Sequence, residues 1–423
     1  MACAEFVWKW KTKFGNMKKR NNNFHILTIY QFFFISMIVD PIIVLYALDQ
    51  GLTPSHIFLI FSLETLFLVL LEIPTGIVSD VNGHKYSILL ATLFFCLSQL
   101  TLIFFPVFSG FVFYALFTAF FKSFLSGADN AYIFIALKMQ NREKEFSMIR
   151  GKLSAINLYL TAIVTFFVGF IYVWNPKAPF WLGLTSGVIS FFILTQLDNL
   201  KENEDNHKPK KEVDQASSHI PIIFHQYSHN LKIAINEIKE KKSIQDVFIY
   251  SSFISFFLVG LLGTYQIYLE DISVPSQYFG IIYCILYLFS AIASQKASVI
   301  KNAIGTSLLL WLFPVLIMFT AALMATSHVA FIVALLLPRL VIGVYPILIS
   351  DLLNQVITSS RATILSIRSL IMRIFQIAML PLIGYGIELF SLSTTLWIMT
   401  SFIILFSLFS QFSKSFLRDF RSR

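Results

Sequence analysis

Seven charged side chains lie deep inside long apolar runs of the sequence, where a charge is costly. At the centre of a bilayer a charge costs at least about 2.5–3.5 kcal/mol on insertion scales, so one that persists there indicates a function. The seven comprise four acids and three bases: Asp40, Glu64, Glu72, Asp129, Lys122, Arg339 and Arg373. A carboxyl group whose charged form is disfavoured by burial can load and release protons near neutral pH. The bases suit an anionic or zwitterionic substrate, although each can also simply neutralise an acid.

The positions of these charges predict a shared polar pathway. Asp40 and Glu64 are the first candidates for proton transfer, because both fall at similar depth in their apolar runs. Lys122 and Arg339 each lie about ten residues into a run, which is near the bilayer midplane at about 1.5 Å of rise per residue. Lys122 and Asp129 are seven residues apart, so a continuous helix places them on one face. The alternative is that the charges pair with one another and only hold helices in register.

The composition indicates that lipid is much of the solvent. Of 423 residues, 57% are hydrophobic and 13% charged, with a mean hydropathy of +0.73. Soluble domains carry about 25% charged residues. The three cysteines lack metal-ligand spacing, and there is no phosphate-cradling Gly loop with a following Lys. We therefore expect no metal and no cofactor.

Twelve apolar runs are long enough to cross a bilayer, since a spanning helix needs about 20 residues. These runs, called spans 1 to 12 below, cover 26–48, 56–79, 87–107, 111–136, 153–174, 179–197, 247–268, 277–295, 305–326, 329–350, 363–387 and 391–411. The sequence predicts an all-α integral membrane protein with twelve transmembrane helices. The ionisable groups concentrate on spans 1, 2, 4, 10 and 11, which is expected if those spans line one cavity.

The distribution of Lys and Arg predicts the orientation of the spans. All but four of the 32 fall in segments on one side if both termini are cytoplasmic, and the opposite loops hold only Lys177. The formal net charge of +9 is then mainly a topology signal, and nucleic-acid binding is not needed to explain it.

A polar linker divides the spans into two groups of six, a layout of one large class of secondary transporters. The predicted segments are a basic tail (1–25), a first six-helix half (26–197), a cytoplasmic linker (198–246), a second half (247–411) and a basic tail (412–423). Met17, just before the first span, could be a natural start of the chain. Residues 198–218 are expected to be disordered. Leu231, Ile235 and Ile238 predict an amphipathic helix at the inner membrane surface.

One loop resembles the signature of a known family. The turn Gly76-x-x-x-Asp80-x-x-Gly83-x-Lys85, between spans 2 and 3, resembles the signature loop of the major facilitator superfamily. Three further stretches resemble a bacterial exporter subset of that family: Glu72-Ile-Pro-Thr-Gly76, Ser126-Gly-Ala-Asp-Asn-Ala131 and Arg361-Ala-Thr-Ile-Leu-Ser366. The resemblance extends over essentially the whole chain.

The resemblance implies a gating role for this loop. Asp80 is expected to face the start of the span 11 helix near Arg361, where a carboxylate is favoured by about 0.3–1 kcal/mol. The expected gating residues are Gly76, Asp80, Gly83, Lys85 and Arg361, with Gly76 allowing close packing and Gly83 allowing the turn. Val81 and His84 occupy places where the family usually has arginines, which thins the ion pairs within the loop.

The leading hypothesis is a multi-pass carrier of the bacterial cytoplasmic membrane. It would move a small molecule by alternating access, outward and coupled to protons, as a monomer within the lipid bilayer. Two alternatives stay open, namely a polytopic membrane enzyme such as a transferase and a transporter-like sensor that does not transport. No catalytic residue stands out, because the His residues are dispersed and no Glu joins His225 and His229 as in a zincin motif.

Overall fold

Helices make up nearly all of the regular structure in the described chain. The computed structural model describes residues 22–34, 38–139, 142–198, 200, 232–326, 330–358 and 361–411, and no strand occurs in these ranges. The expected disordered part of the linker and the basic C-terminal tail fall almost wholly outside them. The first described helix begins at Asn22, a few residues before the predicted end of the basic N-terminal tail.

Eight described helices precede the linker. They are α1 Asn22–Phe33, α2 Ile43–Asp49, α3 Pro54–Asn82, α4 His84–Phe104, α5 Phe108–Leu125, α6 Ala128–Lys138, α7 Phe146–Trp174 and α8 Ala178–Thr195.

Eight more helices lie in and after the linker. They are α9 (232–240), α10 Lys242–Asp271, α11 Phe279–Gln295, α12 Ala297–Ile304, α13 Thr306–Thr326, α14 Phe331–Val356, α15 Arg361–Leu389 and α16 Leu392–Gln411.

The described helices include nine segments that are long and apolar enough to cross a membrane. They correspond to spans 2, 3, 4, 6, 7, 8, 9, 10 and 11. Tyr159–Trp174 and Leu392–Ser407, in spans 5 and 12, are shorter apolar helices, and span 1 includes residues 35–37, which lie outside the described ranges. An all-helical, multi-pass membrane protein is confirmed, whereas the count of twelve and the location of the termini stay predictions.

Two predicted spans are interrupted rather than continuous. In span 1, α1 ends at Phe33 and α2 begins at Ile43, with Pro41 in the turn between them, where a proline removes a backbone donor. In span 4, Gly127 has φ +83°, a conformation that favours glycine, and it separates α5 from α6. The expectation that Lys122 and Asp129 share one face of a continuous helix is therefore wrong.

Contacts between described helices join those before the linker to those after it. The helix α3 packs along α15, α7 packs against α11, and α2 contacts α10. At the second crossing Gly169 and Gly280 lie opposite one another. A Cβ atom on Gly169 would lie 2.4 Å from the Gln277 carbonyl oxygen, and one on Gly280 would lie 2.3 Å from the Thr165 carbonyl oxygen. Both backbones approach this closely because neither position carries a side chain.

The predicted linker helix is present as α9, but it packs through a different face. Ala234 and Glu237 are buried, Ile238 is partly buried, and Ile235 is exposed. Leu231 lies outside the described residues. The helix therefore packs on the protein through Ala234 and Glu237, and the contact of its apolar face with the membrane surface stays a prediction.

The helix ends define two sides of the molecule. Gly384 near the end of α15 lies against Pro54 at the start of α3, and we call this side the Pro54 end. The opposite side, which carries the turn between α3 and α4, is called the Asp80 end.

Candidate functional site

Asp40 lies at the interface between the two groups of helices. It occupies the turn between α1 and α2, and the Tyr287 hydroxyl donates to its Oδ2 at 3.4 Å. Gln266 Nε2 donates to the Asp40 carbonyl oxygen at 2.7 Å. Because Tyr287 belongs to α11 and Gln266 to α10, the candidate proton carrier is held from the other side of the linker.

Gln266 closes the break in span 1. Its Oε1 accepts hydrogen bonds from the backbone N–H groups of Val44, at 2.9 Å, and Leu45, at 3.0 Å. These are among the first N–H groups of α2, which have no partner within their own helix. Gln266 is only 3% exposed, and its Nε2 also lies 3.3 Å from the Tyr283 hydroxyl. The sequence reasoning missed this residue, although an amide in the apolar span 7 was a visible signal.

Glu64 and Lys122 form an ion pair between α3 and α5. Lys122 Nζ lies 2.6 Å from Glu64 Oε1, and the Lys122 side chain keeps 52% of its surface accessible. Both residues lie within electrostatic range of Asp40. Asp40, Glu64 and Lys122 therefore interact through their charges, and their place in a shared pathway stays a prediction.

Three of the other four predicted charges are in ion pairs. Arg373 of α15 forms a short ion pair with Glu72 of α3, which links the two groups of helices. Asp129 pairs with Arg150 of α7, with 2.9 Å between Oδ2 and Nη2, rather than with Lys122. Pairing, the simpler of the two interpretations, accounts for these two acids and for Arg373.

Arg339 is enclosed by three tyrosines. Its Cζ atom lies 5.8 Å from the ring centroids of Tyr265 and Tyr283 and 5.2 Å from that of Tyr287. We call these three residues the tyrosine cage. Arg339 is 8% exposed, and its Nε has no hydrogen-bond partner among the described residues. Asp40 lies within electrostatic range of the guanidinium. The sequence reasoning missed the cage, although Tyr283 and Tyr287 are spaced to share a helix face.

The turn between α3 and α4 has the expected backbone conformation. Gly83 has φ +92° and is shared by the end of α3 and the start of α4. Lys85 Nζ donates to the carbonyl oxygens of Thr195, at 2.9 Å, and Leu197, at 2.5 Å. A cation at these carbonyl groups is favoured by the dipole of α8. His84 Nδ1 lies 3.0 Å from the Ser79 hydroxyl, so this ring has a local partner.

The remaining gating residues are exposed in this structure. Asp80 and Arg361 are both exposed, Arg361 being the first residue of α15. Gly76 is also exposed, and no atom lies within 4 Å of the place a Cβ would occupy. The expectation of close helix packing at Gly76 is therefore wrong for this conformation. A contact between Asp80 and the start of α15 stays a prediction.

Comparison with known proteins identifies the family. The sequence profile of the Major Facilitator Superfamily matches residues 26–275, more than half of the chain. The chain belongs to this superfamily. An uncharacterized MFS-type transporter of Methanocaldococcus jannaschii is 30% identical over 175 residues. That match covers 40% of this chain and 44% of the archaeal protein, so it spans less than half of either.

Solved transporter structures share the fold of this facilitator protein. The crystal structure of the nucleoside transporter NupG superposes with a TM-score of 0.73 at 13% identity, covering 93% of this chain and 98% of that one. A bacterial homologue of the human lysosomal transporter Spinster, in an inward-facing conformation, gives a TM-score of 0.70 at 15% identity, with 96% and 99% covered. A D-xylose–proton symporter gives 0.64 at 12% identity, with 92% and 96% covered. Family and fold point to a membrane transporter rather than an enzyme.

Proposed function

We propose that this protein is a secondary transporter that carries a small molecule out of the cell by alternating access, coupled to protons. The observation that carries the proposal is the interface at Asp40. A titratable residue on a broken span is held through its backbone carbonyl by α10 and through its carboxylate by α11, across the boundary that would move during transport. The similar structures of a nucleoside transporter and a sugar–proton symporter fit a small substrate and proton coupling.

The two ends of the molecule fit one state of an alternating-access cycle. At the Pro54 end, Gln266 bonds to α2 and the Gly169–Gly280 crossing is tight. At the Asp80 end, Val81 is 77% exposed. The predicted excess of Lys and Arg assigns the Asp80 end to the cytoplasm. On this proposal the present arrangement opens inward, and the opposite state brings Asp80 to the start of α15.

Asp40 suits the proton-carrying role because its charge is coupled to its neighbours. When ionised, it is attracted to Lys122 and Arg339 and accepts a hydrogen bond from Tyr287. Protonation removes that attraction, which weakens the contact between the first span and α11. Proton binding would thus alter the stability of the closed Pro54 end, which is the coupling that a proton-driven carrier requires.

The test of the proposal neutralises the two candidate proton carriers, Asp40 and Glu64, in separate variants. A growth-inhibition panel of toxic compounds, in a strain lacking the gene and complemented with it, first identifies a transported compound. Purified protein in proteoliposomes then receives that compound in radiolabelled form with an imposed pH gradient. We expect Asp40→Asn and Glu64→Gln to abolish uphill transport while exchange without a gradient continues. Asp271→Asn, at the exposed end of α10, is the matched control and should keep full transport.

Three results would contradict the proposal. If both variants retain full uphill transport, proton coupling does not pass through these carboxyl groups. If the wild-type protein protects against no compound and moves none, the chain is not a carrier. Accumulation of the compound inside complemented cells would reverse the proposed direction.

A further inference from the structure

We infer that the substrate carries a negatively charged group, which binds to the guanidinium of Arg339 between the tyrosine cage and Asp40. This inference deepens the proposed function and rests on it. It starts from a comparison of the arginines buried within the helices, because their hydrogen-bonding capacity is used very differently.

The other arginines in the predicted spans have polar partners. Arg373 forms an ion pair with Glu72, and Arg368 Nε donates to the Ser251 hydroxyl at 3.1 Å. Arg339 is more than nine-tenths buried, three tyrosine rings surround its guanidinium, and its Nε has no hydrogen-bond partner among the described residues. An arginine offers five N–H donors, and a buried donor without an acceptor is costly. The Nε donor of this side chain is therefore free to bind an acceptor.

The cage explains how Arg339 remains stable without an acceptor. The face of an aromatic ring attracts a cation, so three rings partly replace the lost hydration. Ring faces do not replace the in-plane acceptors that a guanidinium can bind. Carboxylate, sulfonate and phosphate groups fit those donors with two parallel hydrogen bonds.

The position of the cage fits a transport site. Tyr265 belongs to α10, Tyr283 and Tyr287 belong to α11, and Arg339 belongs to α14, so the cage is built after the linker. Through the Tyr287 hydroxyl it touches Asp40, which comes before the linker. An anion bound here would contact the surface at which the two groups of helices meet.

Asp40 supplies the negative charge that balances Arg339, and a bound anion would take over that role. The neighbouring Glu64 and Lys122 neutralise each other at 2.6 Å, which leaves the charge of Asp40 to balance that of Arg339. Removing the negative charge of Asp40 should therefore strengthen anion binding at Arg339. This is opposite to the effect of the same substitution on uphill transport, which the proposed function expects to be lost.

The test measures binding to the purified full-length protein in detergent, by thermal unfolding shifts followed by isothermal titration calorimetry. The probes are acetate, benzoate, benzenesulfonate and phenyl phosphate, with acetamide, benzamide, benzenesulfonamide and phenol as neutral counterparts. At least one anion should bind the wild-type protein, and its counterpart should not. Arg339→Gln should weaken that binding at least about tenfold, since hydrogen bonds to a charged group are lost. Arg368→Gln is the matched control and should bind as the wild type does.

Two further variants keep the test decisive. Arg339→Lys retains the positive charge without the planar donors, so it should fold if Arg339→Gln does not and should still bind the anion more weakly. Asp40→Asn should bind the anion more tightly than the wild type. If no anion binds, if the neutral counterpart binds equally, or if the substitutions of Arg339 change nothing, the inference is overturned.

Its failure can be told apart from failure of the proposed function. If the anion binds through Arg339 but proteoliposomes move nothing, the anion site stands and transport is refuted. If transport is observed for a neutral compound and is unaffected by Arg339→Gln, transport stands and the anion site is refuted.

Discussion

One amide side chain, Gln266, joins three parts of the candidate site. It accepts two backbone hydrogen bonds at the start of α2, donates to the carbonyl oxygen of Asp40 and lies within hydrogen-bond distance of Tyr283. A Gln side chain can make these bonds because it has one acceptor with two lone pairs and two donors. The geometry of the turn at Asp40 therefore depends on a residue more than 200 positions away in the chain.

Gln266→Ala should destabilise the protein by about 1–3 kcal/mol, because backbone groups of α2 are left buried without partners. The measurement is the midpoint of unfolding in detergent, by intrinsic fluorescence. Gln295→Ala, at the exposed end of α11, is the control and should stay within about 0.5 kcal/mol of the wild type. Equal midpoints for the two variants would show that Gln266 does not hold the turn.

Exchanging the charges of Glu64 and Lys122 tests whether this ion pair is only structural or also takes part in proton transfer. Glu64→Lys and Lys122→Glu should each abolish transport, since each leaves two like charges close together. The double exchange restores the ion pair of 2.6 Å in reverse. We expect it to recover folding, measured by size-exclusion chromatography, but not uphill transport. Full recovery of transport would mean that the pair only keeps α3 and α5 in register.

At this scale the sequence predicted the charges but not their partners. A charged residue in an apolar run can be recognised from the sequence alone, and Asp40, Glu64 and Lys122 do interact in the structure. The tyrosine cage and Gln266 were missed because Tyr and Gln carry no charge. Their roles depend on which helix lies opposite, and the sequence of one span does not contain that information.

Among the elements, the crossing of α7 and α11 is set by two glycines. Gly169→Ala places a Cβ 2.4 Å from the Gln277 carbonyl oxygen, so the helices must move apart. We expect a loss of about 1–3 kcal/mol in stability, typical of overpacking. Gly151→Ala in the same helix is the control, because no atom lies within 4 Å of its Cβ position. The unfolding midpoint should fall for Gly169→Ala and stay the same or rise for Gly151→Ala.

The helix α9 is anchored to the segment between α14 and α15 by one buried carboxylate. Glu237 Oε1 accepts from the Thr358 N–H at 2.7 Å, the Thr358 hydroxyl at 2.8 Å and Lys241 Nζ at 2.8 Å. Glu237→Ala should speed hydrogen exchange at the Thr358 amide, measured by mass spectrometry. Glu240→Ala, at an exposed position, should not. Unchanged exchange in both variants would mean that the anchor is not a determinant of local stability.

The helices were predictable where the length of an apolar run determines them. Long apolar runs became helices near their predicted limits, as α4 and α13 show. The break at Gly127 was not anticipated, because a single glycine inside an apolar run is compatible with a continuous helix. The burial of Glu237 in α9 was not anticipated, because a glutamate is almost never fully buried unless it is paired.

For the whole molecule, alternating access predicts opposite movements at its two ends. Spin labels at Val81 and Val299 report on the Asp80 end, and labels at Phe105 and Phe390 report on the Pro54 end; all four positions are exposed. Removing the Gln266 contacts should favour opening of the Pro54 end. In Gln266→Ala, pulsed electron resonance should therefore show a shorter 81–299 distance and a longer 105–390 distance than in the wild type. Movement of both pairs in the same direction would exclude a rocking mechanism.

The break in span 1 has a consequence for biogenesis. A ribosome delivers α2 to the membrane long before it has synthesised α10, which carries Gln266. During that interval the amides of Val44 and Leu45 must be hydrated or bound by another molecule, because hydrocarbon offers them no acceptor. The first span therefore reaches its final form only after the seventh has been inserted. The order of synthesis therefore leaves this span incomplete until the second group of helices begins to insert.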